Sequence, residues 1–198
     1  MMRRTSTLAV FALLSTVAGA KEAIDYNRLG WMSAEAIAAR PPAERPPLRP
    51  ACHGAWVTPI PLTSQTRIDT SAPIHGEAQW LYYDPDGVSH LNGDVTVSQE
   101  NRTIRADNAE LSAGHDSGRF TGNILIAEPG MILSGKQADI RFNDRTARLE
   151  STEFVSTLLN AHGRANAIEK TDDNVVRFAS VEYSTCEPDH RVWYFSAK

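Results

Sequence analysis

Gly93-Asp94-Val95-Thr96-Val97-Ser98-Gln99-Glu100-Asn101-Arg102-Thr103-Ile104-Arg105-Ala106-Asp107-Asn108-Ala109-Glu110-Leu111 is the stretch whose reading decides the fold. Val95 and Val97 alternate with polar neighbours, as do Ile104 with Ala106 and Ala109 with Leu111. Apolar residues at every second position, several of them β-branched, specify strands with one face turned inward. Between the two runs, Gln99 to Arg102 carry turn chemistry, so the stretch reads as two strands joined by a tight connection. The parity of the apolar residues changes once, between Ala106 and Ala109. A bulge or bend at the small residue 106 restores one continuous apolar face.

The same pattern returns at a constant offset of 29 in Gly122-Asn123-Ile124-Leu125-Ile126 and the run that follows it. Val95 falls on Ile124, Val97 on Ile126 and Ala109 on Ala138, with Pro129-Gly130 as the intervening turn. The second strand of each unit is an octet present in four copies, Ile74–Leu81, Ile104–Leu111, Leu133–Ile140 and Ala161–Ile168. They start 30, 29 and 28 residues apart. A repeat of this length is a unit that cannot bury its own apolar face and must stack on its neighbours. The fold class is therefore all-β, built of repeated two-strand units, with function expected along the stack. The inward set is Val95, Val97, Ile104, Leu111, Ile124, Ile126, Leu133, Ile140 and Phe154, and Leu125 is expected to face outward. The fourth octet is degraded, with Ala161 where a larger residue stands elsewhere, as is common in terminal units.

Residues 1–20 read as a secretory signal. Arg3 and Arg4 precede the apolar run Leu8–Leu14, and Ala18-Gly19-Ala20 matches a cleavage site. Residues 21–51, with Pro41, Pro42, Pro46, Pro47 and Pro50, read as a semi-extended linker in which Ala34 to Arg40 can form a short helix. One domain is expected over 52–198. A net charge of −4 argues against nucleic acid as a general partner. Cys52 and Cys186 bracket the domain. In an exported chain they either pair with each other, which the chain-entropy model values at roughly 5 kcal/mol, or await partners elsewhere.

Catalytic and metal chemistry find little support. The six histidines form no i, i+4 pair and have no C-x-x-C companion, and no cofactor fingerprint is present. His115-Asp116-Ser117 holds triad residue types, but Gly114 and Gly118 around it indicate a plain hairpin loop. The sequon Asn101-Arg102-Thr103 reads as incidental.

The ending Phe178-Ala-Ser-Val-Glu-Tyr183-Ser-Thr185-Cys186-Glu-Pro188, with Trp193 beyond, resembles the signature closing the periplasmic domain of the LptD family of outer-membrane lipopolysaccharide-assembly proteins. Cys52-His-Gly54 resembles the start of that domain, one residue short in spacing, and Gly93–Leu111 resembles the OstA/LptA-type repeat. The resemblance covers residues 52–198. It implies a twisted, open β-jellyroll (OstA/LptA-like) whose apolar interior accepts lipid A acyl chains. It also implies edge-strand pairing with an LptA-type bridge, for which Ile74, Gly76 and Ala78 in the first octet are the expected docking residues. The C-terminal strand near Arg191 to Ser196 would face the outer-membrane barrel, with its LptE-type plug lipoprotein. The resemblance further implies that Cys52 and Cys186 each bond to a barrel cysteine. The family's barrel does not follow here, so the chain is expected to be a fragment, a truncated gene product or a separately encoded periplasmic domain.

Two other functions compete with this one. A free LptA-like bridge protein would share the repeats but has no use for a barrel-directed Cys186. A secreted β-solenoid enzyme acting on polysaccharide would need paired carboxylates or a metal on one face. The charged octet positions are Glu77, Asp107, Lys136 and Arg164, a mixed row that does not match.

Overall fold

The computed structural model describes residues 23–48, 53–60, 62, 71–171, 175–190 and 192–198. Residues 1–20, read above as a secretory signal, and Cys52 lie outside the described residues. In chain order the elements are β1 (Trp31–Ser33), α1 (Ala34–Ala38), β2 (Gly54–Trp56), β3 (His75–Glu77), β4 (Trp80–Tyr83), β5 (Ser89–Gln99), β6 (Arg102–Leu111), β7 (Ser117–Glu128), β8 (Met131–Arg141), β9 (Thr146–Ser156), β10 (Ala161–Lys170), β11 (Val176–Ala179), β12 (Val181–Ser184) and β13 (Phe195–Ala197). Strands β5 to β10 are the paired strands of the repeats, each antiparallel to the next. The four octets fall on β3–β4, β6, β8 and β10.

One open antiparallel sheet of eleven strands runs β13-β12-β10-β9-β8-β7-β6-β5-β3. β4 also pairs with β5, and β11 with β10, so each outermost long strand carries two short partners. The first octet is split between β3 and β4. The fold is thus the all-β, unclosed jellyroll expected from the repeats and the resemblance.

Left-handed backbone recurs along the sheet, once near the middle of β5, β7 and β9 and once between β11 and β12. Asp94, Asn123, Ser151 and Ser180 all hold left-handed backbone, with φ of 49, 43, 51 and 51°. Gly93 and Gly122 precede the first two and are also left-handed. Gly93-Asp94 and Gly122-Asn123 each stand opposite a single octet residue, Asp107 and Lys136, as the register shifts show. Two residues against one is a bulge, and Gly followed by Asp or Asn is the pair that tolerates positive φ best. The sequence reading placed the bulge on the octet's third residue; the extra residue instead belongs to the strand before it. The small third residue has a different reason. A Cβ on Gly163 would overlap the Glu182 carbonyl, and one on Gly135 would lie 3.1 Å from the Glu150 carbonyl.

Bending folds the two halves of the sheet over one another and encloses the main core. Val95, Val97, Ile104, Ala106, Ile124 and Ile126 face Leu91, Ala109, Leu111, Phe120, Ala138, Ile140 and Leu149. Phe120 and Phe142 meet edge to face at 6.5 Å. A second cluster of Phe154, Ala165 and Ile168 continues the interior towards β12, and Leu133 packs against both.

Two expectations are corrected here. Leu125 does not face solvent: with Ala127, Ile132 and Val155 it packs on the outer side of the sheet against Ile24, Leu29 and Ile60. The first part of the expected linker is therefore a packed layer. β1 pairs with β2, the Trp31 backbone N–H donates to the Tyr26 carbonyl at 2.8 Å, and the Arg28 guanidinium donates to the Ile124 carbonyl at 3.1 Å. The short helix α1 does form. The Ser33 hydroxyl caps it by accepting from the Ala36 N–H at 3.2 Å.

Candidate functional site

Val95, Val97, Ile104, Leu111, Ile124, Ile126, Ile140 and Phe154 are buried on the inner face, and Leu133 is half-buried between the two inner clusters. The interior is not filled along its whole length. A cavity of about 70 Å³ lies between the bent halves, lined by Ile126, Met131, Leu133, Ile140, Ala147, Leu149, Ile168, Val176 and Phe178. Arg102, Glu128 and Lys170 also line it. The Arg102 guanidinium holds Glu128 Oε2 through two nitrogens, at 3.2 and 3.1 Å, with the arginine side chain only 7% exposed. Phe178, on β11, packs on Phe154 with ring centroids 5.2 Å apart.

Sequence reasoning missed the far wall of this cavity. Ala147 and Leu149 alternate correctly but stand in a unit without the leading glycine, and Phe178 was noticed only as part of the C-terminal signature. Their place follows from the bend, which brings the far ends of the strands over the near ends.

Both ends of the sheet carry runs of exposed apolar residues. At one end Trp80, Leu81, Tyr82 and Tyr83 form β4, and all four are exposed. Ile74 and Ala78 flank β3 and are half-buried against the main core, while Gly76 is exposed within it. At the other end Val192, Trp193, Tyr194 and Phe195 are exposed, and the sheet finishes at β13.

The C-terminal signature has a structural reading. Tyr183 sits against Trp193 and Phe195, at centroid distances of 6.3 and 5.5 Å. The Ser184 hydroxyl donates to the Trp193 carbonyl at 2.7 Å and accepts the Cys186 N–H at 3.0 Å. Buried His162, on the octet of β10, has Nε2 2.8 Å from the Cys186 carbonyl, which requires its proton on that nitrogen. Among the described residues Cys186 has no disulfide partner, and its thiol is half-buried. Hydrogen bonding to Ser184, then to backbone groups of Trp193 and Val192, holds this thiol below its ordinary pKa.

No constellation for covalent chemistry assembles among the described residues at the charged octet row. Asp107 accepts from the Asn123 amide at 2.9 Å, pinning the bulge. His115 bonds Ser89 at 3.0 Å, and Asp116 accepts from Ser112 and Ser117, as a hairpin loop requires.

These features define a class: an open, LptA-like β-jellyroll with an apolar interior and, among the described residues, two unpaired sheet ends. The fold is shared with LptH of Pseudomonas aeruginosa, solved as the LptA-homologous periplasmic component of a lipopolysaccharide transport device. That match has a TM-score of 0.52 at 14% identity and covers 67% of this chain and 99% of LptH. In sequence the chain is similar to LPS-assembly protein LptD. It is 31% identical to the Acinetobacter baumannii protein over 141 residues, which is 71% of this chain and 17% of that protein. With Pseudomonas fluorescens LptD it shares 28% over 171 residues, or 85% of this chain and 18% of the relative. The chain thus spans under a fifth of the length of these relatives. It is similar, in sequence and fold together, to the N-terminal OstA-like domain of LptD. No protein-family model matches it.

Proposed function

We propose that the chain is a periplasmic lipopolysaccharide-conduit domain of an LptD-type assembly protein. It takes lipopolysaccharide from an LptA-type bridge and passes the acyl chains along its interior towards the outer membrane. The observation that carries this reading is the continuity of the apolar interior. It runs from Ile74 and Ala78 at one sheet end through Leu133 to Ile168, Val181 and Tyr183 at the other. Seven strand spacings of about 4.8 Å make this path roughly 34 Å long. Each methylene buried along it contributes about 0.8 kcal/mol. Docking would use the β3–β4 edge, where unpaired backbone groups and the exposed Trp80–Tyr83 strand offer a template for strand addition. The opposite end, with β13 and the thiol of Cys186, would face a barrel and its LptE-type plug lipoprotein. Nothing in the proposal uses ATP, so the movement must be driven from elsewhere.

The interior of about 70 Å³ is too small for an acyl chain as it stands. β11, exposed along its length and paired only to β10, is the element whose displacement widens it. The free-bridge reading shares this trough but leaves the Cys186 signature unexplained. The enzyme reading lacks an observation in its favour.

A photocrosslinking residue at Tyr82 tests the docking half. Mixed with an LptA-type protein, Tyr82 should crosslink to it and Arg119, exposed on β7, should not. Equal labelling at both positions, or none at Tyr82, would remove the edge from the account.

A further inference from the structure

His53, far away in sequence, meets Glu187 and His190 beside the C-terminal signature. His53 heads β2, while Glu187 and His190 belong to the short 3-10 turn segment between β12 and β13. His53 Nδ1 lies 3.0 Å from Glu187 Oε2, and His190 Nδ1 lies 3.9 Å from the same oxygen. One ligand atom from each residue falls within 4.8 Å of the other two. The second carboxylate oxygen of Glu187 accepts the His53 backbone N–H, which orients the first towards both rings. The rings stack at 5.3 Å with a 30° tilt, so neither reaches away from the cluster. Both imidazoles are largely exposed, at 75 and 67%, whereas the carboxylate is only 15% exposed.

We propose that His53, Glu187 and His190 form a site for a divalent transition-metal ion with the ligand preferences of zinc. Two imidazoles and one carboxylate are a donor set that zinc accepts, with water completing the coordination. Bonds of about 2.0–2.2 Å place tetrahedral donors about 3.3 Å from one another. The two carboxylate distances, 3.0 and 3.9 Å, each lie within an ångström of this, and the imidazole nitrogens, within 4.8 Å of one another, can close on exposed side chains. The described ion-pair partners of Glu187 are those two histidines, so in the described structure no lysine or arginine competes for its charge. The consequence is mechanical. The ion ties the head of β2, in the N-terminal layer, to the turn between β12 and β13, beside Cys186. Without it the described contacts between those segments at this point are the His53–Glu187 hydrogen bonds and the His53–His190 ring stack, at an exposed surface.

The test uses the whole chain, freed of metal by a chelator and titrated with zinc chloride, with magnesium chloride as the oxygen-preferring control. One equivalent of zinc should bind at neutral pH and raise the melting temperature, and magnesium should do neither. His53→Ala, His190→Ala and Glu187→Gln should each weaken binding by about tenfold or more, while His75→Ala, on β3, leaves it unchanged. Metal-free melting curves matching the wild type establish that the variants fold. Glu187→Gln preserves shape and serves if a histidine variant does not fold. Absence of zinc binding overturns the proposal. So does binding unchanged in the His53→Ala/His190→Ala double variant but lost in Cys186→Ser, which would assign the ion to the thiol.

Discussion

Adding one methyl group at Gly163 should detach the C-terminal edge of the sheet without melting its centre. Gly163, on β10, sits between Phe154 of β9 and Tyr183 of β12. In Gly163→Ala the new Cβ overlaps the Glu182 carbonyl and stands 2.8 Å from the Tyr183 Cα, so backbone rather than a flexible side chain must move. The contact between β10 and β12 is short, running from His162–Ser184 to Arg164–Glu182. Loss of two or three ladder hydrogen bonds at about 0.5–1.5 kcal/mol each costs about 1–4 kcal/mol. Restricting the unfolded chain returns about 0.4–1 kcal/mol. The net is about 1–3 kcal/mol, felt locally because β12 leads only to the signature turn and β13. Hydrogen exchange read by mass spectrometry should therefore accelerate roughly 10- to 100-fold across residues 181–197, at tenfold per 1.4 kcal/mol. Peptides from β5 to β8 should exchange as in the wild type. Gly114→Ala, whose Cβ would meet only Asp116 at 3.9 Å, is the matched control and should change nothing. Wild-type exchange at 181–197 in Gly163→Ala, or acceleration spread over the whole sheet, would refute the close-approach reading of the octet's third position.

Three further outcomes follow from the packing and electrostatics. Glu128→Ala leaves the buried Arg102 guanidinium without its carboxylate and should lower stability by about 1–3 kcal/mol in urea unfolding; an unchanged midpoint would mean the pair is solvated in solution. Asn123→Val puts a β-branched residue at φ 43° and removes the amide that bonds Asp107, a cost of about 1–3 kcal/mol; full stability would show that the bulge can be rebuilt without left-handed backbone. Hydrogen bonds from Ser112 and Ser117 hold the Asp116 carboxyl below its ordinary pKa. A depressed folded-state value stabilises the fold above the ordinary carboxylate range, and that contribution is lost as pH falls through the depressed value. On acidification Asp116→Asn should therefore lose less stability than the wild type, in paired denaturant titrations at neutral and acid pH.

The strands and their inner face were legible because they rest on local chemistry. Period-two alternation, Pro129-Gly130 and the Gly-Asp and Gly-Asn pairs each specify backbone within a few residues. The outer layer was not legible in the same way. Ile24, Leu29 and Ile60 show no periodicity, and the prolines between Leu29 and Ile60 imitate a linker. A signal did exist on the sheet itself. Ile124-Leu125-Ile126-Ala127 is apolar at four consecutive positions, and such a run marks a strand covered on both faces. Reading Leu125 as outward applied the one-sided rule where the residues already broke it. The far wall of the cavity and the meeting of His53 with His190 depend on how the halves fold together, over separations that no local pattern reports. Cys52 lies outside the described residues, and its pairing is a question for chemistry on the protein.

The account stands or falls on whether acyl chains enter between the bent halves of the sheet. Photocrosslinking residues placed one at a time at Ile124 and Ile126, with the exposed Arg119 as the outward control on the same strand, ask this directly when lipopolysaccharide is added to the folded chain. Leu125 is unsuitable as the control because the N-terminal layer covers it. Labelling at 124 and 126 but not at 119 is the predicted result. Labelling at none of the three, in protein that melts like the wild type, would mean a closed core and contradict the conduit.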